Sequence, residues 1–247
     1  MKKKQAMNPS LPSPAVFTDV MLGEGGVHTG SLVKIAVDLS TVGPRSTKAV
    51  AQGLATTGID LVDAPVSGGP SGAHKGTLTV MAAGAQAAQD EVWPLLEVFG
   101  KVFTIGQEAG QAQLLKLLNN MLSSTAFAIT AEAFVAGVKG GLDPKLMMDV
   151  INVSSGRSAA SQEKFVRQVL PRTFDFGFPI SSICKDISLA IEECEALGVP
   201  MWVGSQARQL WKFALKQDGT GKDMTELVTY LEQWSQATPP APVEKSG

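Results

Sequence analysis

Lys116, Asn119, Asn120 and Ser123 interrupt an otherwise apolar pattern at helical spacing. Leu114, Leu115, Leu117, Leu118, Met121, Leu122, Phe127 and Ile129 surround the same axis, so a helix here is to be buried on most sides. Lys116 and Asn120 form an i,i+4 pair, with Cβ atoms about 5–6 Å apart. Lys116 is the only charged side chain between Gln111 and Ala131. A stripe that faces water normally carries several charges of mixed sign, whereas amides and hydroxyls suit the wall of a cleft. An amine in such a wall, beside apolar surface, loses solvation, and its pKa falls toward the range useful for proton transfer. The alternative is a solvated stripe, because lysine is almost never fully buried.

A second run, Asp63-Ala-Pro-Val-Ser-Gly-Gly continuing to Ala73, follows a strand pattern. Ligands of parallel sheets bind at the carboxyl ends of strands. Ser67, Gly68 and Gly69 offer consecutive backbone N–H groups without Cβ hindrance, a concavity suited to a carboxylate; the alternative is a flexible turn. The run is not a phosphate loop of the Walker type, since Lys75 follows His74 and precedes Gly76. Ser71 and Ser158 nearly match G-x-S-x-G, but Ala73 and Ala160 replace the final glycine and no histidine follows Ser158. A serine hydrolase is excluded. Gly23 and Gly25 begin a G-x-G-x-x-G pattern that ends in His28 and leads into a strand, so this stretch reads as a turn and not a pyrophosphate site.

The elements that must position these residues change character near Gly110. Before it, strand patterns at Val33–Leu39, Ile59–Val66, Thr77–Ala83 and Val102–Ile105 alternate with helical patterns at Pro44–Thr56 and Ala85–Phe99, which predicts βαβ units and a mostly parallel sheet. After it the patterns are helical, at 111–139, 144–153, 159–169, 183–197, 202–216 and 224–235. The expected domains are a disordered segment 1–15, a partial dinucleotide-type α/β domain 16–109, a helical domain 110–236 and a disordered tail 237–247. Lysine and arginine number 21 against 23 acidic residues over 247 positions, a balance that argues against a nucleic-acid binder. No apolar run is expected to span a membrane, and residues 5–13 are too polar for a signal peptide. Two cysteines and two histidines exclude a disulfide framework and leave little for a metal, so no metal site is expected. A cytoplasmic protein is expected. Cys184 and Cys194 read as buried small apolar groups, and Trp202, Trp211 and Trp234 as core or subunit contacts.

With these motifs in place the sequence resembles the β-hydroxyacid dehydrogenase family, the 3-hydroxyisobutyrate, tartronate semialdehyde and threonate dehydrogenases among them, over about Val33 to Trp234. Asp38-Leu-Ser-Thr before Pro44 resembles the cofactor-contacting segment, which implies Thr41 near the nicotinamide riboside. Asp63–Gly69 resembles the substrate motif, implying that Ser67, Gly68 and Gly69 hold the substrate carboxylate. Gly110–Asn120 resembles the catalytic motif, with Lys116 implied as general acid/base and Asn120 as the residue orienting the substrate. Lys185-Asp186 resembles a late cofactor-side motif in which Lys185 closes over the site. The resemblance implies a Rossmann-like sheet, a long connecting helix and an all-α C-terminal domain like that of 6-phosphogluconate dehydrogenase. It also implies NAD or NADP as cofactor, a small hydroxy acid as substrate, and a homodimer or homotetramer.

Two departures stand out. Ala112 occupies the place of a second glycine in the catalytic motif, and the glycine fingerprint with its early βα units is not found before Val33. Two functions remain open at this point: reversible oxidation of a small 3-hydroxy acid to its semialdehyde or ketone, or a non-catalytic, oligomerising or small-acid-binding remnant of the family.

Overall fold

The computed structural model describes residues 5–7 and 10–243 of the chain. It divides into two compact units, Met1–Asn119 with Glu192–Leu197, and Asn120–Ile191 with Gly198–Gly247.

The first unit is built on a mixed sheet. Strands β1 (Gln5–Met7), β2 (Val33–Asp38) and β3 (Asp60–Asp63) run parallel. The chain beyond β3 continues as β4 (Val66–Ser67), and both pair antiparallel with β5 (Leu78–Ala83) in one unbroken register: Asp63 faces Ala83, Val66 faces Val80 and Ser67 faces Thr79. Pro65 lacks an N–H and so interrupts the ladder, but its carbonyl still accepts from Met81 N at 3.1 Å. Strand β6 (Gly100–Gly106) closes the far side, parallel to β5. The sheet expected to be mostly parallel is therefore parallel at three junctions and antiparallel at the one that carries the Asp63–Gly69 run.

Alternation along β2 explains how the sheet is covered. Ala36 points into a cluster with Phe17, Met21, Val50, Leu54 and Ile59, supplied by α1 (Pro14–Leu22) and α2 (Pro44–Ala55). Ile35 and Val37 point the other way, against Val62, Val80, Ala88, Val92 and Leu96, supplied in part by α4 (Gln86–Leu96). The expectation of disorder over 1–15 is corrected where residues are described. Gln5–Met7 pair with β2, and Ser13 caps α1 through its hydroxyl, which accepts from Val16 N at 3.3 Å. The buried face of α1 rests on Phe17 and Met21, a two-residue signal hidden among prolines. A further helix, α3 (Gly69–Lys75), for which the sequence reading named no element, follows the Ser67–Gly69 run. Residues 1–4, 8–9 and 244–247 of the two expected disordered segments lie outside the described residues.

Helix α5 (Gln111–Lys139) begins in the first unit and continues into the second. At 29 residues it extends about 44 Å. By length and composition alone it is apolar enough to cross a membrane, which corrects the expectation that no such run exists. Its buried side chains nevertheless sit in protein: Ala112 packs with Met81 and Ala83, and Phe127, Ala131, Phe134 and Val135 join the core of the second unit.

That second core is aromatic. Phe165 packs in a tilted arrangement at 5.2 Å from Phe127 and 5.4 Å from Phe134, and Trp211 lies 6.1 Å from Phe127. Around it stand α6 (Pro144–Val153), a wide π-wound turn over Ala160–Val169, α7 (Ile180–Ala196), α8 (Trp202–Ala214) and α9 (Leu227–Trp234). The tail from Ala237, also expected to be disordered, docks here: Ala237 and Val243 pack against this core, and Val243 N donates to Leu170 O at 2.9 Å.

Candidate active site

In the first unit the start of α5 is fastened to two strand ends. The Asp63 carboxylate accepts the N–H of Gly110 and of Gln113, each at 3.1 Å, and so occupies the helix N-terminus, where donors are otherwise unpaired. Asp63 is fully buried; desolvation pushes its pKa up to about 7, against the lowering effect of the backbone donors. The Gln113 side chain then reaches the loop after β2. Its Oε1 accepts from Val42 N at 3.0 Å and Gly43 N at 3.2 Å, and its Nε2 donates to Ser40 O at 2.9 Å. Thr41 lies in the middle of that clamped loop.

Two glycine-like positions explain why these pieces approach so closely. Gly110 has φ +96°, and a Cβ there would stand 3.1 Å from Pro44 O. Ala112 fits without strain, since its methyl fills the cluster of Met81 and Ala83. Ser67 ends β4, and Gly68 and Gly69 follow with φ of +133° and +64°, conformations that favour glycine. A Cβ on Gly68 would meet Leu78 Cδ2 at 2.9 Å. Lys116, in the second turn of α5, is 7% exposed.

In the second unit Asn120 follows Lys116 by one turn of the same helix. Its Nδ2 donates to Asp186 Oδ2 at 2.7 Å, and Lys185 Nζ lies 3.3 Å from Asp186 Oδ1. Two of the sequence-expected residues, Asn120 and Lys185, are thus brought together by a third, Asp186. Ser123, the last member of the polar stripe, accepts from Lys164 Nζ at 2.8 Å.

Lys164 and Gln113 were not singled out from the sequence, and Asp186 entered only beside Lys185 in the late motif, with no role of its own. Gln113 could have been noticed as a polar side chain in an apolar first turn; Lys164 stands in a segment whose pattern is polar and gives no such signal. Ser158 has a structural task, as its Oγ accepts from Ser161 N while Ser161 Oγ accepts from Ser158 N. The Gly23–His28 stretch connects α1 to β2 through a 3₁₀ turn at Val27–Thr29, not a strand to a helix. Among the described residues no group of histidine, cysteine and acidic side chains is placed to hold a metal.

With this geometry in place, comparison with known proteins is informative. Residues 2–106 match the NAD binding domain of 6-phosphogluconate dehydrogenase, and residues 110–231 match the NAD-binding domain of NADP-dependent 3-hydroxyisobutyrate dehydrogenase. The chain is 37% identical over 226 residues to 2-(hydroxymethyl)glutarate dehydrogenase of Eubacterium barkeri, covering 91% of this chain and 75% of that protein. The chain belongs to the β-hydroxyacid dehydrogenase family. A mouse mitochondrial 3-hydroxyisobutyrate dehydrogenase is 32% identical over 233 residues, covering 90% of this chain and 69% of that protein. The structure of Mycobacterium tuberculosis 3-hydroxyisobutyrate dehydrogenase with L-serine superposes with a TM-score of 0.76 at 28% identity, over 92% of this chain and 79% of that one. This β-hydroxyacid dehydrogenase thus has a Rossmann-type α/β portion followed by helices, and is an oxidoreductase of the NAD(P)-dependent class.

The residues present fit one end of such a cofactor. The loop 39–43 is clamped by Gln113 at the carboxyl end of a parallel strand, the edge of an open α/β sheet outside which ligands bind. The amides of Val42 and Gly43 are committed to Gln113, so they are not the donors for a pyrophosphate. The sequence has no G-x-G-x-x-G turn to replace them.

Proposed function

We propose that this chain carries out the reversible oxidation of a small 3-hydroxy acid to its semialdehyde or ketone, with NAD or NADP as the redox partner. The burial of Lys116, at 7% exposure on a helix fastened by Asp63 and Gln113, carries this reading. A lysine placed so deep in a helix that has no other charge in its first five turns serves proton transfer better than solubility.

In this proposal Lys116 takes the proton of the substrate hydroxyl in the forward direction and returns it in reverse. Ser67 and the exposed amides of Gly68 and Gly69 hold the substrate carboxylate. Asn120, fixed by Asp186, orients the substrate, and Lys185 and Thr41 serve the cofactor side. A bound nicotinamide supplies the hydride chemistry; the chain supplies binding, orientation and the proton. The proposal also includes self-association. Leu122 and Ile129 on α5 and Trp202 and Val203 on α8 are exposed apolar side chains of the second unit, Trp202 at 80%, and a second copy of the chain is the partner proposed for them.

The test is formation of reduced nucleotide when the purified chain is mixed with 3-hydroxyisobutyrate or 2-(hydroxymethyl)glutarate and each oxidised nucleotide. Turnover with either acid supports the proposal. A folded chain that turns over neither acid with either nucleotide refutes it.

A further inference from the structure

Among the described residues of the second unit, Lys164 is the buried cation. It is 7% exposed, and its ammonium makes one hydrogen bond, to Ser123 Oγ at 2.8 Å, while the Phe176 ring covers another side at 5.0 Å. Among the described residues it has no ion pair. The acidic groups that influence it are committed elsewhere. Glu163 is exposed to solvent. The Asp223 carboxylate accepts from Gly177 N, Phe178 N, Thr225 N and Thr225 Oγ1.

An ammonium has three donors and a full charge. Burying one against a hydroxyl and a ring leaves the desolvation of that charge largely uncompensated, a cost that a partner anion or loss of the proton removes. Burial accordingly holds the Lys164 pKa below the ordinary lysine range.

The position of Ser123 says what the counter-ion belongs to. It follows Asn120 by three residues on α5, about 4.5 Å farther along the helix axis and on the adjoining part of the same polar stripe. We infer that Lys164 receives a second carboxylate on the substrate, so that the chain prefers a dicarboxylic hydroxy acid over a monocarboxylic one. This inference rests on the role proposed for Asn120. A molecule oriented at Asn120 need extend only three or four bonds for its far end to reach the ammonium, and a carboxylate there supplies both the missing charge and the missing acceptors.

Binding tests this without requiring turnover. Glutarate and butyrate are titrated calorimetrically into the wild-type chain, Lys164→Met and Lys164→Gln. The wild type is expected to bind glutarate at least tenfold more tightly than butyrate, and both variants to bring that ratio to about one. Because methionine and glutamine remove a buried charge while filling much of its volume, at least one variant retains its circular dichroism and melting transition. A ratio near one in the wild type, or an unchanged ratio in a folded variant, overturns the inference. Failure of the dehydrogenase proposal shows separately, as absence of reduced nucleotide.

Discussion

The Asp63 carboxylate and the backbone N–H of Gln113 meet at 3.1 Å, and through this contact the end of a core strand sets the position of the helix that carries Lys116. Gln113 extends the link to the loop that contains Thr41. One carboxylate and one carboxamide therefore place three sequence-distant motifs in the first unit. The residues expected to do chemistry are held by residues that do none.

Gln113→Leu preserves volume but removes the acceptor of Val42 N and Gly43 N and the donor to Ser40 O. Buried donors left unmatched cost about 1–3 kcal/mol each. Chemical denaturation is expected to show a loss of about 2–4 kcal/mol in total. A loss under half a kcal/mol would show that the loop does not depend on this clamp.

Asp63 makes stability depend on pH in a direction opposite to that of most paired carboxylates. Its pKa rises from 3.8 to about 7 on folding, so the folded chain holds this proton more tightly than the unfolded one. The contribution is fully present below pH 4, declines as pH rises, and is gone above about 7. Asp63→Asn removes the titration. The stability difference between wild type and variant is expected to shift against the wild type between pH 4 and 7.5, by on the order of 4 kcal/mol at most. A difference that stays flat with pH would contradict the burial argument.

Both cysteines are expected to be slow to react in the native chain. Burial pushes the Cys184 thiol up to about 11 and raises that of Cys194 as well. Only the thiolate is nucleophilic. An aromatic disulfide reagent at neutral pH should titrate both thiols only after denaturant is added. Fast labelling of either thiol in the folded chain would contradict the packing of α7.

Trp202→Asp tests the proposed association. A charge placed at this exposed apolar position should shift the mass measured by light scattering toward the monomer, with the far-ultraviolet spectrum unchanged. An unchanged mass would remove this surface from the interface.

Much of the fold was legible because its elements depend on local pattern. The run from Gln111 to Lys139 is one helix, and Pro144–Val153 has the bounds its proline and spacing indicate. What stayed hidden depends on long-range partners. Helix α1 buries two residues, Phe17 and Met21, against side chains of which most lie fifteen or more positions away, on β2, α2 and β3, and the antiparallel turn of the sheet at Pro65 is a matter of pairing with β5, which no local pattern encodes. The same division holds for the site. Lys116 stands out because charge is absent around it, and Gly68 and Gly69 because they are consecutive glycines. Lys164 resembles any lysine in a polar stretch until Phe176 and Ser123 close over it. Gln113 acts through partners 50 or more positions away, and sequence spacing carries no sign of it.

The central claim is that the Lys116 amine moves the substrate proton, and Lys116→Met tests it most directly. The full chain and this variant are assayed for nucleotide reduction with 2-(hydroxymethyl)glutarate and with 3-hydroxyisobutyrate, with nucleotide affinity measured in parallel by calorimetry. The account predicts a fall in kcat of about 10²–10⁴ with nucleotide affinity unchanged within about threefold. A methionine variant that turns over within about threefold of wild type would contradict it, because general acid/base catalysis by this residue would be worth far more.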